Sequence, residues 1–366
     1  ANKYVKDCID TGWVSSSGEW VTKFEELISE YTGAKHVVAV SNGTSALRLA
    51  LFTIGVCTND EVMIPPLSFV ATANAVSHIG AIPHFIDIEP KTLGMCPIAL
   101  EQRLNKIGQK KGDKVFNKIT GNKISAIVPV HVFGLPSKIN EIKEICAQWN
   151  LPLIEDAAEA LGSSIINGSK RTHCGCFGDI GIISFNGNKI ITTGGGGALL
   201  TNDSEIAKLA KHLSTTAKLS HPWEFFHDQI GWNDRLPNIN AALGVSQIEV
   251  LQTKLNNKRI LHEKYKIIFR DYGELEILEE AKNCQSNYWL ITMRILGNNP
   301  EILKNKILEE AHSLKIFLRP SWILLNRLPM YKKNPSGDLS QALNQSKRLI
   351  NLPSSPQLVL KINKNK

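Results

Sequence analysis

The side chain with the clearest capacity for covalent chemistry is a lysine set among apolar residues. Lys189 comes after Ile180-Gly181-Ile182-Ile183-Ser184-Phe185, directly precedes Ile190-Ile191, and leads into Gly194, Gly195, Gly196 and Gly197. Apolar neighbours strip water from an amine, and desolvation in general favours the nucleophilic free base over the ammonium. Such an amine attacks an aldehyde to form a Schiff base. A cofactor held in that way also needs a carboxylate and a seat for its anionic group.

Both parts are present. Leu151-Pro152-Leu153-Ile154 runs as a short apolar strand into Glu155-Asp156-Ala157-Ala158-Glu159, and Asp156 is the candidate for pairing with a cofactor ring nitrogen. An aspartate at a strand end also caps the following helix, but its combination with Lys189 favours the cofactor role. The anion seat is Val37-Val38-Ala39-Val40-Ser41-Asn42-Gly43-Thr44-Ser45, a β-branched strand turning into an Ala/Leu-rich helix. Free amides around Gly43, with the Thr44 and Ser45 hydroxyls, suit a phosphate dianion. The segment is neither a P-loop nor a dinucleotide fingerprint, since the spacing of both is missing. Gly194 to Gly197 read as flexible or closely approached backbone. Lysine, aspartate and phosphate seat together point to pyridoxal phosphate.

On these residues the chain resembles the pyridoxal-phosphate-dependent sugar aminotransferases of the DegT/DnrJ/EryC1/StrS group. The likeness runs nearly end to end, from Thr11-Gly12-Trp13-Val14-Ser15-Ser16 to Asn351-Leu352-Pro353-Ser354-Ser355. It implies that Lys189 is the Schiff-base lysine, that Asp156 partners the ring nitrogen, and that Thr44, Ser45 and Ser184 bind the phosphate. Phe69 matches the aromatic stacked on the cofactor ring, a geometry suited to a planar cationic ring. Asn233 matches a residue that the family supplies to the phosphate from a neighbouring subunit, so a homodimer with shared sites is expected. Glu159 departs from the His or Gln that many members carry near the cofactor's phenolate oxygen; it is either protonated, with a raised pKa, or pointed elsewhere. His131, in Pro129-Val130-His131-Val132-Phe133-Gly134, is a candidate for the sugar pocket or a satisfied structural histidine. Arg235 and Arg319 are candidates for a donor carboxylate or for nucleotide phosphates, both of which a guanidinium binds bidentately.

The lysine segment and Gly231-Trp232-Asn233-Asp234-Arg235-Leu236-Pro237-Asn238 look most like the subgroup acting at C4 of nucleotide-linked keto sugars in bacillosamine and legionaminic acid pathways. The implied reaction takes an amine from L-glutamate, releasing 2-oxoglutarate, and passes it to a 4-keto-6-deoxy sugar held by its nucleoside diphosphate. A UDP-linked N-acetyl sugar is expected, although GDP-linked substrates occur among close relatives. Amination at C3 would use nearly all the same motifs, and a non-catalytic regulatory member would keep the cofactor. Dehydration on this scaffold goes with loss of the lysine, and Lys189 counts against it.

These residues need a frame to hold them at strand ends. The chain has 366 residues, of which 43% are hydrophobic, enough for a large core and two lobes. Apolar runs at Val62-Met63-Ile64, His84-Phe85-Ile86, Ala126-Ile127-Val128, Leu153-Ile154, Ile180 to Ile183 and Ala198-Leu199-Leu200 alternate with helical patterns such as Lys138 to Trp149. That alternation predicts an α/β fold, and the resemblance specifies aminotransferase fold type I: a mostly parallel seven-stranded sheet over residues 1–240. One long helix containing Ile239, Leu243, Ile248, Leu251 and Leu255 should then lead into a smaller α+β lobe, making residues 241–366 the second domain. The formal net charge of +8 suggests attraction of an anionic substrate rather than nucleic acid, because the lysines from Lys106 to Lys123 and from Lys361 to Lys366 read as solvated loops and tail. His173-Cys174-Gly175-Cys176 lacks a second ligand pair, so no metal is expected. Seven dispersed cysteines and no membrane-length apolar run favour a cytoplasmic protein.

Overall fold

A computed structural model describes residues 2–359. The lysines at 361–366 lie outside the described residues. Seven strands form the central sheet: β1 (His36–Val40), β2 (Glu61–Ile64), β3 (Ile82–Phe85), β4 (Lys123–Ile127), β5 (Ile154–Asp156), β6 (Ile180–Ser184) and β7 (Gly197–Thr201). Their order is β1-β7-β6-β5-β4-β2-β3. Six run parallel and β7 runs antiparallel between β1 and β6. The β5 and β4 segments join through single bridges, Ile127 with Leu153 and Val130 with Asp156, so the sheet parts slightly beside Asp156. Every residue of β2, β5, β6 and β7 is buried, as expected for strands covered on both faces, and each overlaps an apolar run in the sequence, β5 only at Ile154, ahead of its buried Glu155 and Asp156.

Helices cover the sheet. The helix Gly43–Thr53 follows β1 after a turn whose Asn42 side chain accepts a hydrogen bond from the Ser45 N–H, and it buries Ala46, Leu47, Leu49, Ala50 and Leu51 against β6 and β7. The turn is tight: a Cβ at Gly197 would lie 2.5 Å from the Asn42 backbone. Gly197 thus serves close approach, while Gly194 adopts φ 81°.

Two features differ from the sequence reading. The long helix after Pro237 is two helices, Asn238–Ile248 and Leu251–Phe269, broken where Val250 leaves helical geometry at φ −107° and ψ 5°. The basic run from Lys106 to Lys123 is not loop: after the helix Pro97–Ile107 it forms the hairpin Gly108–Lys111 and Lys114–Asn117, which extends the sheet beyond β4. Lysines on that outer strand discourage pairing with another sheet edge.

C-terminal to residue 270, a small antiparallel sheet is formed by Leu275–Ile277, Thr292–Ile295, Leu349–Asn351 and Arg319–Pro320, covered by the helix Pro300–Ser313. Its core continues into residues of the first 240, with Leu67, Ile88, Val130, Val132 and Phe133 packed beside Ile291, Met293 and Ile350. Among the described residues no helix is long and apolar enough to cross a membrane.

Candidate active site

Strand exits converge on one cavity of about 430 Å3. β5 supplies Asp156 and, one turn later, Glu159; β6 supplies Ser184 and, after the turn Asn186 to Lys189, the lysine; the helix following β1 supplies Gly43 and Thr44. Placement at the carboxyl ends of parallel strands is the general geometry of open α/β sheets. The small lobe closes the far side with Trp289, Leu290, Arg319, Trp322 and Asn351.

Lys189 is mostly buried. Its Nζ lies 3.5 Å from Glu159 Oε1 and 3.9 Å from the centre of the Trp289 ring. Glu159 also accepts a 2.8 Å hydrogen bond at Oε2 from the Phe133 N–H, whose residue takes the left-handed φ of 57°. Burial pushes the Glu159 carboxyl up to about 7, and the nearby Lys189 ammonium and the Phe133 N–H only partly oppose it. Of the two sequence alternatives for Glu159, its surroundings produce the raised pKa, while its carboxyl stays in the cavity facing Lys189 rather than pointing elsewhere.

Asp156 is held for a different task. Thr72 Oγ1 donates to its Oδ2 at 2.8 Å, the Ala158 N–H donates to Oδ1 at 3.2 Å, and Ser68 is hydrogen-bonded to Thr72 at 2.7 Å. Burial raises the Asp156 pKa, which the Thr72 hydroxyl counters. An acid in that state gains from a cationic partner.

The residues fit pyridoxal phosphate. The cavity joins a lysine amine, a buried aspartate carboxyl and the amino end of a helix whose first residue has no side chain. A Cβ at Gly43 would sit 2.9 Å from the Ser184 Cβ, so the cradle closes for any other residue. Phe69 stands on the cavity wall, about half exposed, with its ring 6.3 Å from that of Trp322.

Lys189, Asp156, Glu159, Gly43, Thr44, Ser184, Phe69 and Arg319 all line the cavity. Four other candidates do not. Ser45 is buried and donates to Asp234 Oδ1 at 3.2 Å, so its hydroxyl braces the helix start from behind. His131 is fully buried, 3.0 Å from Glu155 Oε2, and its Nδ1 accepts from the Ser137 N–H; it is hydrogen-bonded within the core and does not line the cavity. Arg235 bridges to Val40, with a buried Nε lacking a partner. Asn233 is exposed and forms a separate bridge with Thr215. Trp289, Trp322, Thr72 and Asn351 were missed by the sequence reading. Trp289 lies in the part of the chain assigned to the smaller lobe, and no spacing rule ties it to Lys189, a hundred residues earlier.

The DegT/DnrJ/EryC1/StrS aminotransferase family matches residues 1–363. The chain is 34% identical over 359 residues to GDP-perosamine synthase of Escherichia coli O157:H7, covering 97% of this chain and 90% of that one. It is 35% identical over 362 residues to the putative pyridoxal phosphate-dependent aminotransferase EpsN of Bacillus subtilis, covering 97% and 88%. A DegT DnrJ EryC1 StrS aminotransferase from Brucella abortus superposes with a TM-score of 0.87 at 27% identity, over 98% of this chain and 90% of that one.

Proposed function

Since the chain belongs to the DegT/DnrJ/EryC1/StrS aminotransferase family and is a pyridoxal-phosphate-dependent transaminase of fold type I, we propose that it carries an amine from L-glutamate to C4 of a nucleotide-linked 4-keto-6-deoxy sugar. The observation that carries this reading is the convergence of the Lys189 amine with the Asp156 and Glu159 carboxyls in one cavity beneath the Gly43 helix end.

In this reading Lys189 binds the cofactor covalently, and Asp156 pairs with its ring nitrogen. Gly43, Thr44 and Ser184 take its phosphate, and Phe69 supports its ring. When bound, the cofactor draws off the electron pair left as a proton leaves the donor carbon. Lys189 Nζ, freed once the donor's amine has taken its place, would take that proton, and Glu159, beside it, would hold or release a proton as the amine changes state. Arg319, on the cavity wall, meets an anionic group of the donor or of the sugar nucleotide.

Residues 1–240 then act as the cofactor-binding domain and residues 241–366 as a lobe over it. Asn233 serves the site of a second copy in a homodimer, which fits the exposure of Asn233 and of Trp223, Phe225 and Ile230 on the same excursion. Unpaired cysteines suit the reducing conditions of a cytoplasmic enzyme. The sequence favours a UDP-linked N-acetyl sugar; the likeness to GDP-perosamine synthase supports a GDP-linked substrate as the second reading.

The test is a visible spectrum of the protein loaded with pyridoxal phosphate, before and after L-glutamate, beside Lys189→Ala. A cofactor band that glutamate bleaches only in the wild type is expected. The loaded protein is then offered UDP- and GDP-linked 4-keto and 3-keto sugars, and the position of the amine is read by NMR. Equal behaviour of Lys189→Ala would sink the assignment of the lysine, and a 3-amino product would replace C4.

A further inference from the structure

Lys258 lies on the helix Leu251–Phe269 and is only 3% exposed, with no carboxylate partner among the described residues. Its three ammonium hydrogens instead meet three carbonyl oxygens: Tyr288 at 3.2 Å, Trp289 at 2.9 Å and Ser354 at 2.6 Å. A buried ammonium satisfied by carbonyls alone is costly, and burial pushes the Lys258 pKa down to about 7. Two of these carbonyls belong to a turn in which Tyr288 takes a left-handed φ of 46° and stacks on His262, ring centres 3.8 Å apart; the third, from Ser354, lies in the C-terminal segment.

Trp289, next along, is fixed at every polar atom. Its carbonyl goes to Lys258, its backbone N–H donates to Asn287 Oδ1 at 2.8 Å, and its indole N–H donates to the Asn188 carbonyl at 2.8 Å. Asn287 in turn donates to the Glu159 and Leu161 carbonyls. The result is an indole face 3.9 Å from the Lys189 amine.

We propose that Lys258 is a positioning residue for Lys189, holding the Tyr288–Trp289 turn so that the Trp289 indole presents its face to the reactive amine. The proposal rests on the reading of Lys189 as the lysine that binds the cofactor. An amine held over an aromatic face and beside Glu159 keeps one place when it is not bonded to the cofactor, which shortens its path to the aldehyde.

The experiment follows the fixing of pyridoxal phosphate onto Lys189 in the full chain, by borohydride reduction at timed intervals and mass spectrometry of the Lys189 peptide. Lys258→Met, Trp289→Leu and the double variant are compared with wild type, with thermal unfolding as the folding control. Lys258→Met is expected to slow fixation about tenfold, and the double variant to be no slower than Trp289→Leu alone, because the two residues act as one unit. Wild-type fixation in Lys258→Met, or effects of the two changes that multiply, would overturn the proposal. Lys258→Arg keeps the charge but alters the donor geometry. It is expected to slow fixation a few-fold and decides the matter if Lys258→Met does not fold: an unchanged rate overturns the proposal, a slowed one that Trp289→Leu absorbs supports it. Fixation that bypasses Lys189 in the wild type would instead remove the premise.

Discussion

Glu155 and Glu159 stand four residues apart at the exit of one strand, both buried, and meet opposite electrostatic surroundings. Burial pushes each carboxyl up. At Glu155 this is outweighed by His131 and by N–H donors from Gly175, Phe177 and Gly178, which hold the carboxyl below its ordinary value. At Glu159 a single N–H and Lys189 do not suffice, and the carboxyl stays near 7. Residue type and burial are alike, so the neighbours decide: His131 and several N–H donors at Glu155, against fewer donors and the repelling charge of Asp156 at Glu159. The first glutamate ties the loop 175–178 to the sheet, and the second is left able to change charge beside a reactive amine.

Glu155→Gln should give the largest effect. The amide keeps the shape, but its NH2 group faces N–H donors that lose an acceptor, and His131 loses its carboxylate. A cost of about 3–5 kcal/mol is expected from breaking such a buried pair. Urea unfolding measures it, and a cost under about 1 kcal/mol would mean that Glu155 is not the structural member of the two.

Glu159→Gln sharpens the comparison through pH. A carboxyl near 7 in the folded chain and near 4.5 when unfolded holds its proton more tightly in the native state. The stability it contributes is complete below about 4.5 and is lost as pH rises to about 7, a change on the order of 3 kcal/mol for the cofactor-free protein. Unfolding curves at pH 5, 6, 7 and 8 should show wild type losing ground to Glu159→Gln across that window. Parallel curves for the two proteins would place the titration elsewhere.

The contrast also shows how far sequence carries. All seven sheet strands were legible as β-branched or apolar runs, because strands buried on both faces leave little room for polar residues. Lys189, Asp156 and Gly43 were legible because their neighbours are unusual for their type. Glu155 and Glu159 could not be told apart, since the donors that separate them come from Phe133, His131 and residues 175–178, brought close only by the fold. His131 was open for the same reason. The break at Val250 was also hidden, since apolar residues recur at helical spacing on both sides of it. The hairpin within residues 106–123 was masked by its lysines, which suit an exposed edge as well as a loop.

Asp156 lies between the two glutamates in character and gives the smallest predicted effect. Burial raises its pKa, and Thr72 Oγ1 supplies one of its two hydrogen bonds. Thr72→Val keeps the volume and removes that donor, which costs about 1 kcal/mol and should weaken pyridoxal phosphate binding roughly five-fold. The effect stays small because the Ala158 N–H still donates to the same carboxyl. Titration of the cofactor into wild type, Thr72→Val and Ser68→Ala, followed by absorbance, tests the order: Ser68 reaches Asp156 only through the Thr72 hydroxyl and should matter less. If Ser68→Ala weakened binding more than Thr72→Val, that hydroxyl pair would serve the cavity directly, and the neighbours of each carboxyl would no longer account for the differences among the three acids.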